Sequence, residues 1–365
     1  MIPKELQPLT ERKKSAPYLP RLLHSLSREA FAVSGVRGGL SWLNETRLVS
    51  FETKQKQVRI WNTTTGETQW LIELQQPIEK LQSLPDGRGL VVCFSNKQVA
   101  VIDPEWGTQL SSIQASKAEG TRENPFTSLV VSPDGAMIYI AHGQDPPIIA
   151  WRPGEEAIAW SALPEKMSAR WNGLKKNRNL ISVALSTNSR RLIAFYQDSI
   201  VQYDSQTGRV LSRVNREMPS YEDGIIDGIV IGDNLAVYIA RFYEAYDKDW
   251  EKSYSMVNLW DLDKQQKIWS KELPDYKEDN GRIFWREPYL ICSSCVEQHT
   301  YDLTPSKRKT YTTDLEFLHA TTGESADEIL FWPGHFIQEA ALSPGKSRLA
   351  VTTNTNQILI FSFDD

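Results

Sequence analysis

Apolar and polar positions alternate along this chain in short runs, and each run closes on a large side chain followed by a turn. Seven runs read this way: Val58-Arg59-Ile60-Trp61-Asn62, Val99-Ala100-Val101-Ile102-Asp103, Ile148-Ile149-Ala150-Trp151-Arg152, Ile200-Val201-Gln202-Tyr203-Asp204, Val257-Asn258-Leu259-Trp260-Asp261, Gln298-His299-Thr300-Tyr301-Asp302 and Ile358-Leu359-Ile360-Phe361-Ser362. Such alternation, bounded by turn residues, is the pattern of a β-strand. The large residues stand 41, 49, 52, 57, 41 and 60 positions apart. A period of about 40–45 residues with four strands per unit is that of a β-propeller blade. The pattern therefore predicts an all-β chain. It is a single seven-bladed β-propeller of four-stranded antiparallel blades, with inserted loops lengthening the wider units.

Within a blade the strands are named a to d, from the axis outward. In blade one, strand a is expected near Gly38–Leu43, b near Arg47–Phe51, c near Gln57–Trp61 and d near Thr68–Leu74. The other blades begin at Ile78, Phe126, Leu180, Ile225, Arg282 and Ile337. The a–b turns include Pro85-Asp86-Gly87, Ser132-Pro133-Asp134-Gly135, Thr187-Asn188-Ser189, Gly232-Asp233-Asn234 and Ser343-Pro344-Gly345. Pro presets φ, Asp and Asn bond their own backbone, and Gly accepts positive φ, so these are turns with a mechanism. The c–d turns Asn62–Gly66, Asp103–Gly107, Arg152–Gly154 and Asp204–Gly208 each end in Gly.

Blade seven runs out of chain after strand c. Its outer strand is expected from Glu29–Ser34, closing the ring with both ends of the chain and covering an open edge. The domain reading is an N-terminal arm over residues 1–28, partly disordered or packed on the propeller, and the propeller over 29–365. The arm carries Lys4, Arg12, Lys13, Lys14, Arg21 and Arg28 against Glu5 and Glu11. Pro3, Pro8, Pro17 and Pro20 discourage a long helix, leaving Leu19, Leu22, Leu23 and Leu26 room for one amphipathic turn.

Composition narrows the function. The chain has 365 residues, 40% of them hydrophobic, and a net charge of −5. That balance argues against bulk phosphate-driven binding of nucleic acid, which needs a concentrated basic footprint. Three cysteines, Cys93, Cys292 and Cys295, make no disulfide framework, which fits a reducing compartment, and the expected location is cytoplasmic. No apolar run is long enough for a membrane span, and residues 1–28 lack the apolar core of a signal peptide.

Blade seven carries the closest family likeness. Gly334-His335 precedes strand a, Leu342-Ser343-Pro344-Gly345 makes the a–b turn, and Leu349-Ala350-Val351 leads to Ile358-Leu359-Ile360-Phe361. Blade one ends in Val58-Arg59-Ile60-Trp61, and blade three carries Ser132-Pro133-Asp134-Gly135. On these residues the chain resembles a divergent WD40-type propeller over residues 29–365. It departs from that pattern where Gly-His occurs once and Trp-Asp only at Trp260-Asp261, so the family's His–Ser–Asp–Trp network is mostly missing. The resemblance implies a non-catalytic scaffold that binds peptides or proteins and, less often, nucleic acid; the propeller itself is expected to be monomeric.

Catalytic motifs are thin. Gly345-Lys346-Ser347 ends like a phosphate loop, but Ala340 stands where the first Gly belongs, and the segment lies between two strands rather than before a helix. Cys292-Ser293-Ser294-Cys295 has redox or zinc spacing, yet Tyr289–Cys292 reads as a strand, on which residues three apart face opposite ways. His24, His142, His299, His319 and His335 show no metal-ligand spacing. A metal-dependent enzyme using the channel would need converging carboxylates, for which Glu79, Asp227 and Glu339 are the inner-strand candidates. The expectation is no enzyme, no cofactor and no metal.

Binding is expected on one face. The b–c and d–a loops share that face, and the long segments fall there: Pro164–Asn179, Asn215–Gly224, Arg241–Tyr254, Pro274–Asn280 and Asp314–Pro333. Long loops in a compact fold are usually functional or disordered, and aromatics and Arg dominate binding hot spots. The candidate partner-binding residues are Lys166, Arg170, Trp171, Lys175, Lys176 and Arg178 as a basic lip. Tyr221, Phe242, Tyr243, Tyr246, Trp250, Tyr254 and Tyr276 form an acidic-aromatic ridge. This polarity suits a protein partner of mixed charge within a multi-protein assembly. The alternative is a nucleic-acid-binding propeller using the basic 166–178 loop, with Trp171 stacking a base.

Overall fold

The computed structural model describes residues 21–27, 38–53, 55–115, 126–142, 147–162, 170–171, 174–175, 180–197, 199–215, 222–243, 253–273, 282–299, 309–330, 337–353 and 357–363. These build seven four-stranded antiparallel sheets, plus one two-stranded ladder. The innermost strand of each sheet touches that of the next, and the first touches the last, so the sheets close a seven-bladed β-propeller. Blade one comprises Gly38–Asn44, Arg47–Glu52, Gln57–Asn62 and Thr68–Glu73, matching the strands read from sequence. Strand a begins at Ile78, Phe126, Leu180, Arg282 and Ile337 as expected, and at Glu222 rather than Ile225 in blade five. No helix among the described residues is long and apolar enough to cross a membrane.

The core is seven seams rather than one centre. Successive side chains on a strand point to opposite faces, and both faces of each middle strand meet a neighbouring blade. Leu90, Val92 and Phe94 of blade two pack with Val49, Phe51, Val58 and Ile60 of blade one. Val91 and Cys93, one residue out of phase, pack with Ile138, Ile140, Ile149 and Trp151 of blade three. The same division recurs at every seam through to Trp42, Leu48 and Trp61 of blade one against Ala350, Ile358 and Ile360 of blade seven. This is why strands b and c read as nearly unbroken apolar runs.

Polar latches repeat across the seams. An Arg that opens strand b reaches the c–d turn of the next blade in three places. Arg47 meets Glu105 at 3.9 Å, Arg191 meets Asp263, and Arg348 donates to Thr63 Oγ1 at 2.9 Å and to the Glu45 carbonyl at 3.0 Å. The tryptophans of strand d act similarly. Trp160 donates to the Ser205 carbonyl at 2.9 Å and Trp269 to the Ala320 carbonyl at 3.0 Å, each in the next blade's c–d turn. Their rings lie on Gly208 and Gly323, where φ is +70° and +72° and an added Cβ would come within 2.5 and 2.8 Å of the indole. Glycine is required there twice over, by conformation and by contact.

Two expectations are corrected. The ring is closed by an N-terminal strand, but that strand is Arg21–Ser27, paired antiparallel with Gln357–Ser362; Glu29–Ser34 lies outside the described residues. Leu22, Leu23 and Leu26 are therefore strand residues and not a helical turn. The reason lies in the register. An irregularity between Leu22 and His24 changes the phase of the strand. Leu22 then packs against the blade six–seven seam, while Leu26 enters the blade seven–one seam. One short strand ties two seams.

Blade six is the second correction. Gln298 and His299 end strand b (Tyr289–His299) and are not part of strand c, which runs Lys309–His319. Asp314–Pro333 is accordingly no insertion: it holds the end of strand c, the turn His319–Gly323 and strand d, Ser325–Leu330. Leu318, fully buried, takes the place assigned to Tyr301. The signal that locates it is the turn itself. Thr321-Thr322-Gly323 repeats Thr64-Thr65-Gly66, and both glycines accept positive φ and donate their N–H four residues back.

Candidate partner-binding face

The face expected to bind is built by uneven strand lengths. In blade five, strand a runs Glu222–Ile231, b Leu235–Tyr243 and c Ser253–Asp261, against five or six residues for the same strands of blade two. Pairing continues to Tyr243 opposite Ser253. Phe242 is in register with both Glu222 and Tyr254, so these positions form one row across three strands. In blade six the b–c hairpin is longer still, paired out to His299 opposite Lys309. Two adjacent blades thus extend their b–c hairpins on the same face.

The basic lip has an ordered core of its own. Arg170-Trp171 pairs with Leu174-Lys175 as a two-stranded ladder, Arg170 opposite Lys175. It lies in the d–a connection from blade three to blade four. Lys166, Lys176, Arg178, Tyr221, Tyr246, Trp250 and Tyr276 lie outside the described residues. For Arg170, Trp171, Lys175, Phe242, Tyr243 and Tyr254, backbone register is what the structure supplies. The blade six extension, Ser293–His299 against Lys309–Asp314, was missed because the run Gln298–Asp302 imitates a strand c.

Side-chain detail on this face is clearest at the blade two–three seam. Glu79 accepts the Phe126 N–H at 3.1 Å and meets Lys97 Nζ at 3.8 Å. Lys97 Nζ lies 5.5 Å from the Phe126 ring centre, and His142 meets that ring edge-on at 6.1 Å. His142 is buried. Burial, then the nearby Lys97 charge, lowers its pKa to about 4. A histidine held neutral in this way stabilises the fold fully above its ordinary value near 6.5, and that contribution is lost as pH falls through about 4. His142→Phe should therefore flatten the decline in melting temperature between about pH 6.5 and 4 relative to the native chain, read by parallel thermal scans. Equal slopes in the two proteins would contradict this.

Two of the three inner-strand carboxylates bond to the next blade. Asp227 accepts the Ile283 N–H of the next blade at 3.2 Å and the Gly228 N–H at 2.9 Å. With Glu79, it makes an inner-strand carboxylate into a seam clamp. The Glu339 N–H donates to Thr352 Oγ1 at 3.1 Å within blade seven. No group of three or more His, Cys, Asp or Glu is arranged to hold a metal among the described residues. Cys292 and Cys295 lie on one strand, opposite Glu316 and Thr313, and burial pushes the Cys292 thiol up.

Gly345-Lys346-Ser347 is a hairpin turn, with the positive φ at Lys346 rather than at Gly345. It does hold an anion, the carboxylate of Glu45 in blade one. The Gly345 N–H donates to Glu45, and Ser347 Oγ is 2.8 Å from its other oxygen. Partial burial would raise the Glu45 pKa, but these bonds, with Ser343 and the Arg348 charge, outweigh it and hold the carboxyl below its ordinary value. The turn serves ring closure. Compared with known families and curated sequences, the chain matches no family model and no curated protein.

Proposed function

We propose that this protein is a non-catalytic protein-interaction subunit of a multi-protein assembly, a divergent WD40-type propeller that presents the loops of one face to a partner. The observation that carries the reading is the unequal growth of the blades: the b–c hairpins of blades five and six outgrow those of blades one and two, and they do so on one face. Seams packed on both faces of each blade give those hairpins a rigid base, which limits the ordering cost of binding. Phe242, Tyr243 and Tyr254 stand at the paired end of the blade five b–c hairpin, and the ladder of Arg170-Trp171 with Leu174-Lys175 offers a basic lip for the acidic part of a partner of mixed charge. Buried free thiols at Cys93 and Cys292 suit a reducing compartment such as the cytoplasm.

The test is affinity purification of the tagged chain from its native host, read by quantitative mass spectrometry. Trp250→Ala with Tyr246→Ala should leave the thermal transition within a few degrees and reduce partner recovery by at least about thirtyfold, as loss of central aromatic anchors does. Undiminished recovery would remove the site from this face.

A further inference from the structure

Trp70 and Trp106 belong to neither the seams nor the long-loop face. Trp70 stands on strand d of blade one at the position that Trp160 and Trp269 hold in blades three and five. Each is in register with the strand-c residue just before a bulge: Ile60, Ala150 and Leu259. Trp160 and Trp269 lie down on the next blade's glycine. In blade two that glycine, Gly107, is covered by Ile72 instead. Trp70 is left 37% exposed, and Trp106, beside Gly107, is 78% exposed. Leu71, at 53%, and Leu110, at 58%, are exposed on the outer strands of the same two blades, Leu71 on the face opposite Trp70 and Ile72. Single exposed apolar residues are ordinary, but two tryptophans and two leucines on adjoining blades are informative.

Charge supplies the second observation. Residues 62–76 and 103–114, the outer strands and c–d turns of these blades, include Glu67, Glu73, Asp103 and Glu105 and no Lys or Arg. Arg47 lies 4.7 Å from the Trp70 ring centre and pairs with Glu105; Arg59 lies 5.2 Å from the Trp61 ring centre. The third observation is the edge. Thr68–Glu73 is the outermost strand of its sheet, exposed everywhere but at Ile72. It carries neither Lys nor Pro, the residues that usually blunt such an edge.

We propose that the outer strand of blade one and the c–d turn of blade two form a docking strip for an extended, basic segment of a partner protein, in which Lys or Arg alternates with apolar side chains. The segment's main chain adds to the Thr68–Glu73 edge. Its apolar residues lie against Leu71, and on the opposite face of the added strand its cations stack on Trp106 and pair with Glu67. The strip lies on the outer wall and the c–d turns, away from the b–c hairpins, so it stands or falls separately from the function proposed above.

The probe is a fluorescein-labelled peptide of alternating Lys and Val, titrated against the full chain by anisotropy, with a Glu-Val peptide of equal length as comparison. The Lys-Val peptide should bind and weaken with added salt, and the Glu-Val peptide should not bind. Trp106→Ala should weaken binding about tenfold and leave the thermal transition unchanged, because the side chain is mostly in water. Glu67→Lys should do the same. Hydrogen exchange should show new protection at the Thr68–Glu73 amides. Unchanged affinity in Trp106→Ala, equal binding of the acidic peptide, or protection confined to the b–c hairpins would overturn the proposal. So would an affinity gain of about tenfold on removing residues 1–20, because the chain's own basic arm would then be the occupant.

Discussion

Leu26→Ala is expected to cost about 2–5 kcal/mol, and deletion of residues 21–27 to abolish the single cooperative unfolding transition. Leu26 is 3% exposed and packs with Trp42, Leu48 and Trp61 on one side and Ala350, Ile358 and Ile360 on the other. Truncating it leaves a cavity where the first and last blades meet. The seam keeps Trp42 and Leu48 against Ala350 and Ile360, the Trp42 indole to the Ala341 carbonyl at 2.9 Å and the Glu45 and Arg348 latches, but loses the side chain that packs against both blades. Deletion also strips the pairing from Gln357–Ser362 and exposes a flat apolar edge, so aggregation should accompany the loss. Urea melts followed by circular dichroism give the measurement. Leu71→Ala, on an exposed outer strand, is the control and should fall within about 0.5 kcal/mol of the native chain. A Leu26→Ala protein as stable as that control would show that the ring does not depend on this closure.

Trp151→Ala carries a similar expected loss, about 3–5 kcal/mol. Trp151 is the large residue that ends strand c of blade three and is fully buried. It packs in the blade two–three seam with Val91, Cys93, Val99 and Val101, and its indole N–H donates to the Glu155 carbonyl at 2.8 Å. The same urea melts read the effect. Trp151→Phe should recover part of the stability by refilling the cavity while leaving the Glu155 carbonyl without its donor. If the Ala variant lost less than about 1 kcal/mol, the repeat's large residue would not be a seam anchor.

The partner-binding face was legible only in outline. Inserts could be located because they interrupt a period, and in blade five the strands do lengthen into the insert. In blade six the reading failed, because Gln298–Asp302 copies the local pattern of strand c while the paired partner of the true strand c stands some twenty residues earlier in the chain. Local alternation reports that a segment is a strand, and carries no information on which strand it pairs with. The carboxylates Glu79 and Asp227 teach a related point. Sequence could place them on inner strands, but whether they turned to the axis or to the next blade's N–H groups depended on contacts between units.

The sequence by itself determined the blade count and the strand order. Those follow from the recurrence of short, largely apolar runs at strands b and c, where each residue has one of two neighbouring blades to face and both demand an apolar side chain. Tertiary structure alone decided which N-terminal segment closes the ring, since Leu22 and Leu26 serve two seams only through a change of register that no local pattern announces. It also decided the fates of Trp70, Trp160 and Trp269. The three occupy one position of the repeat, yet two are folded onto a glycine of the following blade and the third is left partly exposed beside Arg47, because Ile72 already fills the place it would have taken. A side chain's burial here is set by the next blade in the ring, and only the assembled ring contains that information.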